Sequence, residues 1–288
     1  MSSRLLRYAA FSRDPAGGNP AGVWIGERLP PAADMQRLAT RVGYSETAFV
    51  AAPDADGRRQ VRYFSPVAEV SFCGHVTIAA AVALADLGER GPQRLETAAG
   101  TVEVNVSLHD GAAMATLVSV PPRHAPAPPP LLREALAALD WRADELDPTL
   151  PPALAYAGAW HLVLAVADHQ RLARLDYDFD RLAVVMRAHE LVTLQLVWRE
   201  HQALFHARNP FPVGGVVEDP ATGAAAAALG GYLREAGLLR APARIAIRQG
   251  EAMGRPGLLL VDIPASGGIA VSGHAVPIPE PAPAGGHR

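Results

Sequence analysis

Short apolar runs bounded by turn residues recur along the whole chain and predict strands more often than helices. In the first half the predicted strands are residues 5–10, 21–25, 47–51, 60–64, 94–98, 101–106 and 113–120. In the second half they are residues 161–167, 194–198, 202–207, 244–248 and 258–263. Few helices separate these strands, which favours antiparallel pairing over repeated βαβ units.

Helices are predicted over residues 34–42, 75–87, 131–139 and 224–236. Two of them, 75–87 and 224–236, consist almost wholly of small or apolar side chains, and they end at Gly88 and Gly237. A helix that is apolar on every face is buried on every face. A sheet wrapped around a central helix provides that environment.

The two halves of the chain resemble each other around these helices. Residues 74–88, GHVTIAAAVALADLG, align with residues 223–237, GAAAAALGGYLREAG, at a constant offset of 149. Downstream, RLETAAG from Arg94 matches RIAIRQG from Arg244. The shared order of strand, loop, glycine-started helix, glycine stop and arginine-led strand predicts an internal duplication of two similar domains.

A proline-rich segment, PPRHAPAPPP, separates the two halves. Residues 121–130 predict a semi-rigid linker that forms neither a helix nor a central strand. The expected domains are therefore residues 1–120 and residues 131–267. The tail, about 268–288, can pack back onto the first domain.

Composition and charge exclude several classes of function. The formal net charge of −3 provides no basic surplus for nucleic acid. A single cysteine, Cys73, excludes an intramolecular disulfide and any multi-thiolate metal site, and the absence of lysine excludes a lysine Schiff base. Neither a secretory signal nor an apolar run of about 18–20 residues is present, so a cytoplasmic location and no membrane partner are expected.

Two loops carry the candidate chemistry. Residues 69–75, EVSFCGH, and residues 218–224, EDPATGA, each lead into the start of a predicted buried helix. Glycine at a helix start leaves backbone N–H groups open, and these groups together with the helix dipole attract an anion. Two such starts facing each other bind a small carboxylate. The alternative is that each glycine only relieves crowding in a tight turn.

Four motifs resemble those of the PhzF family, phenazine-biosynthesis-like isomerases related in fold to diaminopimelate epimerase. They are GGNPAGV (17–23), MQRLATRVGYSETAFV (35–50), VRYFSPVAEVSFCGHVT (61–77) and EDPATGAAA (218–226). The resemblance covers nearly the whole chain. It implies an α+β fold of two similar domains, each a mostly antiparallel, β-barrel-like sheet around a central α-helix. It also implies an active site in the cleft between the domains, a small-molecule carboxylate substrate, no cofactor, no metal and a homodimer.

The same resemblance assigns three catalytic residues. Glu46, in the motif SET, is expected to act as the general acid/base that moves a proton between carbons of a small unsaturated carboxylate. His75 is expected to position the substrate or relay a proton, and Asp219 to orient the substrate or the histidine. On the residues alone, Glu46 is also compatible with a cap or turn, His75 with a buried core histidine, and Asp219 with an N-cap.

The remaining candidates are expected to bind the substrate: Ser45, Gly74, Thr222, Gly223 and Ala224. Ser45 is equally compatible with a local cap, and Thr222 with the N-cap of the second helix. The family often has serine where this chain has Ala224, so the substrate or its binding can differ from the phenazine intermediate.

The single thiol excludes one mechanism of the related epimerases. Cys73 occupies the place of their first catalytic cysteine, and Pro220 is expected at the place of the second. A two-thiol racemase therefore cannot operate, and one base working on one face, as in an isomerase, remains. The alternatives are a lyase or dehydratase, an epimerase-type enzyme on the same scaffold, and a non-catalytic small-molecule-binding protein.

Overall fold

The computed structural model describes residues 3–89 and 91–279, and the chain forms two compact units. Unit 1 comprises residues 1–116 and 273–288, and unit 2 comprises residues 117–272. The sequence predicts 1–120 and 131–267, and the strand that re-enters unit 1 at residue 273 lies in the tail that was expected to pack back. Residues 280–288 of that tail lie outside the described residues. In the described parts of the chain, no helix is long and apolar enough to cross a membrane.

Unit 1 is a mixed sheet with one long buried helix. Its elements are β1 (Arg4–Ala10), β2 (Asn19–Gly26), α1 (Ala32–Val42), β3 (Thr47–Ala51), β4 (Arg58–Phe64), β5 (Glu69–Val70), α2 (Gly74–Asp86), β6 (Gln93–Thr97), β7 (Gly100–His109) and β8 (Ala112–Val118), with part of β17 (Ala270–Pro277). The pairs β1–β2, β3–β4 and β6–β7 are antiparallel, whereas β2–β3 and β4–β6 are parallel.

Unit 2 repeats this topology strand for strand. Its elements are β9 (Arg123–Pro126), α3 (Pro129–Leu139), β10 (Ala153–Tyr156), β11 (Trp160–Val166), α4 (His169–Ala173), α5 (Phe179–Ala188), β12 (Leu191–His201), β13 (Leu204–Phe211), β14 (Val216–Asp219), α6 (Gly223–Glu235), β15 (Ala243–Gln249) and β16 (Gly257–Ile263). Here β10–β11, β12–β13 and β15–β16 are antiparallel, and β11–β12 and β13–β15 are parallel. The prediction of two similar, mostly antiparallel domains is confirmed.

Each unit is built around its buried helix. In α2 every residue from His75 to Ala85 is buried, and the helix packs against β1, β2, β3 and β7. In α6 every residue from Ala225 to Leu233 is buried, and the helix packs against β9, β10, β11 and β16. Alanine and glycine let the strands approach closely: a Cβ added to Gly230 would lie 2.9 Å from Val261 Cγ1. The expected central helix is therefore present in both units.

The prediction of a linker over residues 121–130 is wrong. Residues 123–126 form β9, which pairs antiparallel with β10, and α3 begins at Pro129. Proline is compatible with both places, because it is tolerated at a sheet edge and in the first turn of a helix, where its missing N–H is not needed. Pro122 packs against α6 at Gly231, where an added Cβ would lie 2.3 Å from Pro122 Cβ. The segment is an integral part of unit 2.

A buried polar network joins three strands of unit 2. His161 on β11 is fully buried, and its Nδ1 lies 2.8 Å from Thr193 Oγ1 on β12. Asn209 on β13 donates to Thr193 Oγ1 at 3.1 Å and to Gln195 Oε1 at 2.6 Å. Because Asn209 also pairs with Asp219 across β13 and β14, the network supports the strand that carries this predicted site residue.

We predict that His161 makes stability depend on pH. Burial lowers the pKa of His161 to about 4, from an ordinary value of 6.5. Between these values the unfolded chain binds a proton that the folded chain does not, so stability falls as the pH falls. The free energy of unfolding should decrease by up to about 3 kcal/mol between pH 6.5 and pH 4 through this group.

Urea unfolding measured across this range for wild type and His161→Gln gives the test, because glutamine does not titrate. His201→Gln, at an exposed position of the same unit, should keep the wild-type dependence. An unchanged pH dependence in His161→Gln would contradict the assignment.

Candidate active site

The start of α2 carries Cys73, Gly74 and the candidate catalytic residue His75. Cys73 is the N-cap in extended conformation, and its side chain makes no capping hydrogen bond to the helix. Its carbonyl oxygen accepts from Thr77 N at 3.0 Å and from Thr77 Oγ1 at 2.7 Å, which fixes the backbone of the turn. Gly74 then opens the helix and His75 follows one residue later. No cap side chain therefore shields the first N–H groups from an anion.

Three side chains surround the imidazole of His75, which is only 6% exposed. Its Nε2 lies 3.4 Å from Ser45 Oγ and 3.7 Å from Glu46 Oε2. Its Nδ1 lies 3.3 Å from Cys73 Sγ. The structure thus brings together Ser45, Glu46 and His75, which the sequence singled out, and adds Cys73 on the other side of the ring.

Glu46 is held in place by its backbone. Gly43 in left-handed conformation ends α1, and β3 begins directly after Glu46. Gly22 N on β2 donates to Glu46 O at 3.2 Å. A Cβ at Gly22 would lie 2.5 Å from Thr47 Oγ1, so the close approach of the two strands requires glycine there. The carboxylate of Glu46 is 16% exposed and lies between the apolar strand and the histidine.

This arrangement is suited to proton transfer. When Nδ1 of His75 accepts from the Cys73 thiol, Nε2 carries the ring proton and faces Glu46 and Ser45. A partly buried carboxylate beside a polar group of this kind can take a proton from carbon and give it back. Glu46, Cys73 and His75 also offer one metal-donor atom each within 4.8 Å of one another.

In unit 2 the loop before α6 forms a closed hydrogen-bond ring. Asp219 Oδ2 accepts from Thr222 Oγ1 at 2.6 Å. Gln249 Oε1 accepts from Thr222 N at 3.1 Å, and Gln249 Nε2 donates to Asp219 O at 2.8 Å and to Thr222 Oγ1 at 3.0 Å. Thr222 is the N-cap residue by position, but its side chain makes no capping bond to the helix. Gly223 and Ala224 follow as the first, half-buried residues of α6.

Gln249 is the residue of this ring that the sequence reasoning missed. It is 1% exposed at the end of β15, directly before Gly250. Gly250 has φ +82°, and an added Cβ there would lie 2.7 Å from Pro220 O. The duplication offered a signal, because the matching position of the first copy is Ala99 and a buried amide departs from that pattern.

Comparison with known proteins agrees with this geometry. The family model PhzC-PhzF, phenazine biosynthesis-like protein, matches residues 8–280. The chain belongs to this family. An uncharacterized isomerase of Deinococcus radiodurans is 34% identical over 92% of this chain and 88% of its own length. A trans-2,3-dihydro-3-hydroxyanthranilate isomerase of Pseudomonas fluorescens is 31% identical over 87% of this chain and 86% of its own.

A solved structure supports the fold of this PhzC-PhzF family member. The Bacillus anthracis phenazine biosynthesis protein of the PhzF family superposes with a TM-score of 0.85 at 24% identity, over 97% of this chain and 98% of that one. The fold predicted from the sequence is thereby confirmed. Since the relatives named above are isomerases, the chain is an enzyme of the isomerase type.

The two helix starts differ at the N-cap. Cys73 is the N-cap of α2 and Thr222 is the N-cap of α6, and the Thr222 hydroxyl is bonded to Asp219. The placement of the epimerases' second cysteine at Pro220 stays a prediction. The prediction of one cleft shared by both loops stays a prediction.

We predict that Gln249→Leu destabilises unit 2. The substitution removes three hydrogen bonds, one to the carbonyl of Asp219 and two to Thr222, at about 1–3 kcal/mol for each buried group that loses its partner. Chemical unfolding measures the loss. Gln93→Leu is the matched control, because that amide lies at the start of β6 and donates to Glu89 O. Equal losses in the two variants would contradict the structural role given to Gln249.

Proposed function

We propose that this PhzC-PhzF family member is an isomerase that moves a proton within a small unsaturated carboxylate, with Glu46 as the proton carrier. The observation that carries the proposal is the position of the Glu46 carboxylate. It is fixed by the β2–β3 contact, partly buried, and 3.7 Å from the imidazole at the N-terminus of α2. A single carboxylate in such a position suffices for proton transfer on one face of a substrate.

The reaction balances without a co-reactant. The Glu46 carboxylate takes a proton from one carbon, the electron pair of that C–H bond shifts the conjugated double bond, and protonated Glu46 gives the proton to another carbon. The elemental composition of the substrate is unchanged. Negative charge that develops on the substrate carboxylate is stabilised by the free N–H groups at Gly74 and by the dipole of α2.

The neighbouring side chains then have positioning roles. His75 donates from Nε2 toward the substrate or Glu46, and Cys73 on the Nδ1 side selects that tautomer. Ser45 offers a hydroxyl on the Nε2 side of the ring. In unit 2, Asp219 is held by Thr222 and Gln249 and presents a carboxylate that orients a donor group of the substrate. A lyase or an epimerase would share the first proton abstraction and differ in the fate of the electron pair.

The substrate class follows from the site and the relatives together. Curated relatives from three Pseudomonas species are trans-2,3-dihydro-3-hydroxyanthranilate isomerases, each 31–32% identical to this chain. We propose that compound as the first substrate to test, followed by smaller unsaturated carboxylates. Ala224 provides no hydroxyl at the start of α6, where the family often has serine. This favours a substrate with one polar group fewer than the phenazine intermediate. A metabolite that co-purifies with the protein, identified by mass spectrometry, gives an independent route to the substrate.

We predict that Glu46→Gln binds substrate and loses the chemical step. Glutamine is nearly isosteric but carries no proton, and general acid/base groups contribute about 10²–10⁴-fold, with a sole carrier at the upper end. Single-turnover rates and equilibrium binding separate the two effects. Asp219→Asn is the comparison: it should lose less rate and more affinity, since Asp219 only orients. A Glu46→Gln variant that binds normally and reacts within about tenfold of wild type would show that Glu46 is structural.

We predict that Cys73→Ala keeps turnover within about tenfold of wild type, because the thiol lies beside Nδ1 of His75, whereas Glu46 lies beside Nε2. Any loss of rate that remains comes from His75, because the thiol no longer selects the tautomer of its imidazole ring. Single-turnover rates under the conditions used for Glu46→Gln measure it. Abolished turnover in a folded, substrate-binding Cys73→Ala protein would overturn the glutamate-centred mechanism.

A further inference from the structure

The side chains around His75 have a second chemical property. Glu46, Cys73 and His75 place a carboxylate oxygen, a sulfur and an imidazole nitrogen within 4.8 Å of one another, and they are the only such group of three in residues 3–89 and 91–279. His75 is buried and the other two side chains are partly buried. The three side chains lie at the N-terminus of the buried helix α2, where hydrogen bonds fix the backbones of Cys73 and Glu46.

The donor types select the kind of cation. A thiolate, an imidazole and a carboxylate are the ligands that Zn²⁺ takes, at about 2.3, 2.0–2.1 and 2.0–2.2 Å. Mg²⁺ and Ca²⁺ prefer all-oxygen sites and gain little from sulfur or nitrogen. We propose that Glu46, Cys73 and His75 form a binding site for a thiophilic divalent cation, best matched by Zn²⁺.

The distances are close to those that coordination requires. Two ligands at these bond lengths in a tetrahedron lie roughly 3.3–3.7 Å apart. Cys73 Sγ is already 3.3 Å from Nδ1 of His75. The donor atoms of the three side chains lie within 4.8 Å of one another, so the Glu46 carboxylate must move closer by about 1 Å to share one cation, which is within the freedom of a glutamate side chain. Three protein ligands leave a fourth position for water or for the carboxylate of a small molecule. The thiol proton passes to solvent when the cation binds.

A second histidine with two carboxylates provides the contrast. His206 Nε2 lies 2.8 Å from Glu200 Oε2, and His206 Nδ1 lies 3.1 Å from Glu251 Oε2. Among the described residues these three side chains do not place one donor atom each within 4.8 Å of one another, and no thiol is among them, so they form no comparable site. His206→Gln is therefore a matched control for His75→Gln.

Cation binding has a consequence for turnover, and this consequence rests on the proposed function. A Glu46 oxygen bound to Zn²⁺ cannot accept a proton from carbon. The cation should therefore inhibit the isomerisation reversibly, and a chelator should restore the rate.

The binding test needs no substrate. The full chain is titrated with Zn²⁺ alone in competition with a chromophoric chelator, and with Co²⁺ as a spectroscopic probe whose bond to thiolate gives a near-ultraviolet charge-transfer band. One equivalent should bind, Mg²⁺ should not compete, and the Co²⁺ band should be present. Cys73→Ser, His75→Gln and Glu46→Gln should each weaken binding by about tenfold or more, and Cys73→Ser should also lose the band. His206→Gln should bind as wild type.

Three results would overturn the site. They are no binding of Zn²⁺ by the folded wild-type chain, a Co²⁺ complex without the thiolate band, and an equal loss of affinity in His206→Gln. Because three separate ligand variants are compared, misfolding of one leaves the other two to decide. If Zn²⁺ binds but leaves turnover of an accepted substrate unchanged or raises it, the inhibitory role is wrong. A normal rate in Glu46→Gln would instead overturn the proposed function and leave the binding result in force.

Discussion

The complete burial of helix α2 is the constraint on which the unit 1 site depends. A helix enclosed by β1, β2, β3 and β7 must be built from small or apolar side chains, and only its ends can present polar groups. The start of α2 therefore concentrates free N–H groups, the positive end of the dipole and His75 at one point. The sheet fixes the opposite partner, because the parallel contact of β2 with β3 places Glu46 beside that start. The site follows from the way that the sheet closes around the helix.

The duplication kept this frame and changed the chemistry. The parallel pair β11–β12 in unit 2 corresponds to β2–β3 in unit 1, but its register shifts between Trp160 and His161, so the start of the strand differs from the one that holds Glu46. Unit 2 has instead the ring of hydrogen bonds around Asp219, which fixes a carboxylate but leaves it no neighbouring histidine in that ring. The two copies thus differ in their side chains, with a carboxylate beside a buried histidine in unit 1 and a carboxylate bonded to a threonine in unit 2.

How far the sequence predicts the structure depends on the range of the interactions. The central helices and their glycine stops were predicted because composition and periodicity are local. Glu46 and His75 were found through family motifs. Gln249 was missed because its partners lie 27 and 30 residues away in the chain, and no local pattern reports them.

Two further segments differ from the prediction. Helix α5 is absent from the predicted elements, although Asp178 caps it by accepting from Arg181 N and its apolar residues recur with helical spacing. In the segment 121–130 the proline content suggested a linker. Arg123, His124 and Ala125 each have a backbone N–H, and with Pro126 they form β9, because β10 offers a partner and Gly231 admits Pro122. Tertiary packing decided the second case, whereas in the first the local signals were present and were missed.

Turnover in D₂O, followed by mass spectrometry and NMR of the product, tests the central claim most directly. The account predicts a product with the elemental composition of the substrate, with deuterium on the carbon that receives the proton to the extent that protonated Glu46 exchanges with D₂O during turnover. The Glu46→Gln protein should form no such labelled product on the same timescale. A product that is lighter by one water, or equal labelling by Glu46→Gln, would contradict the account.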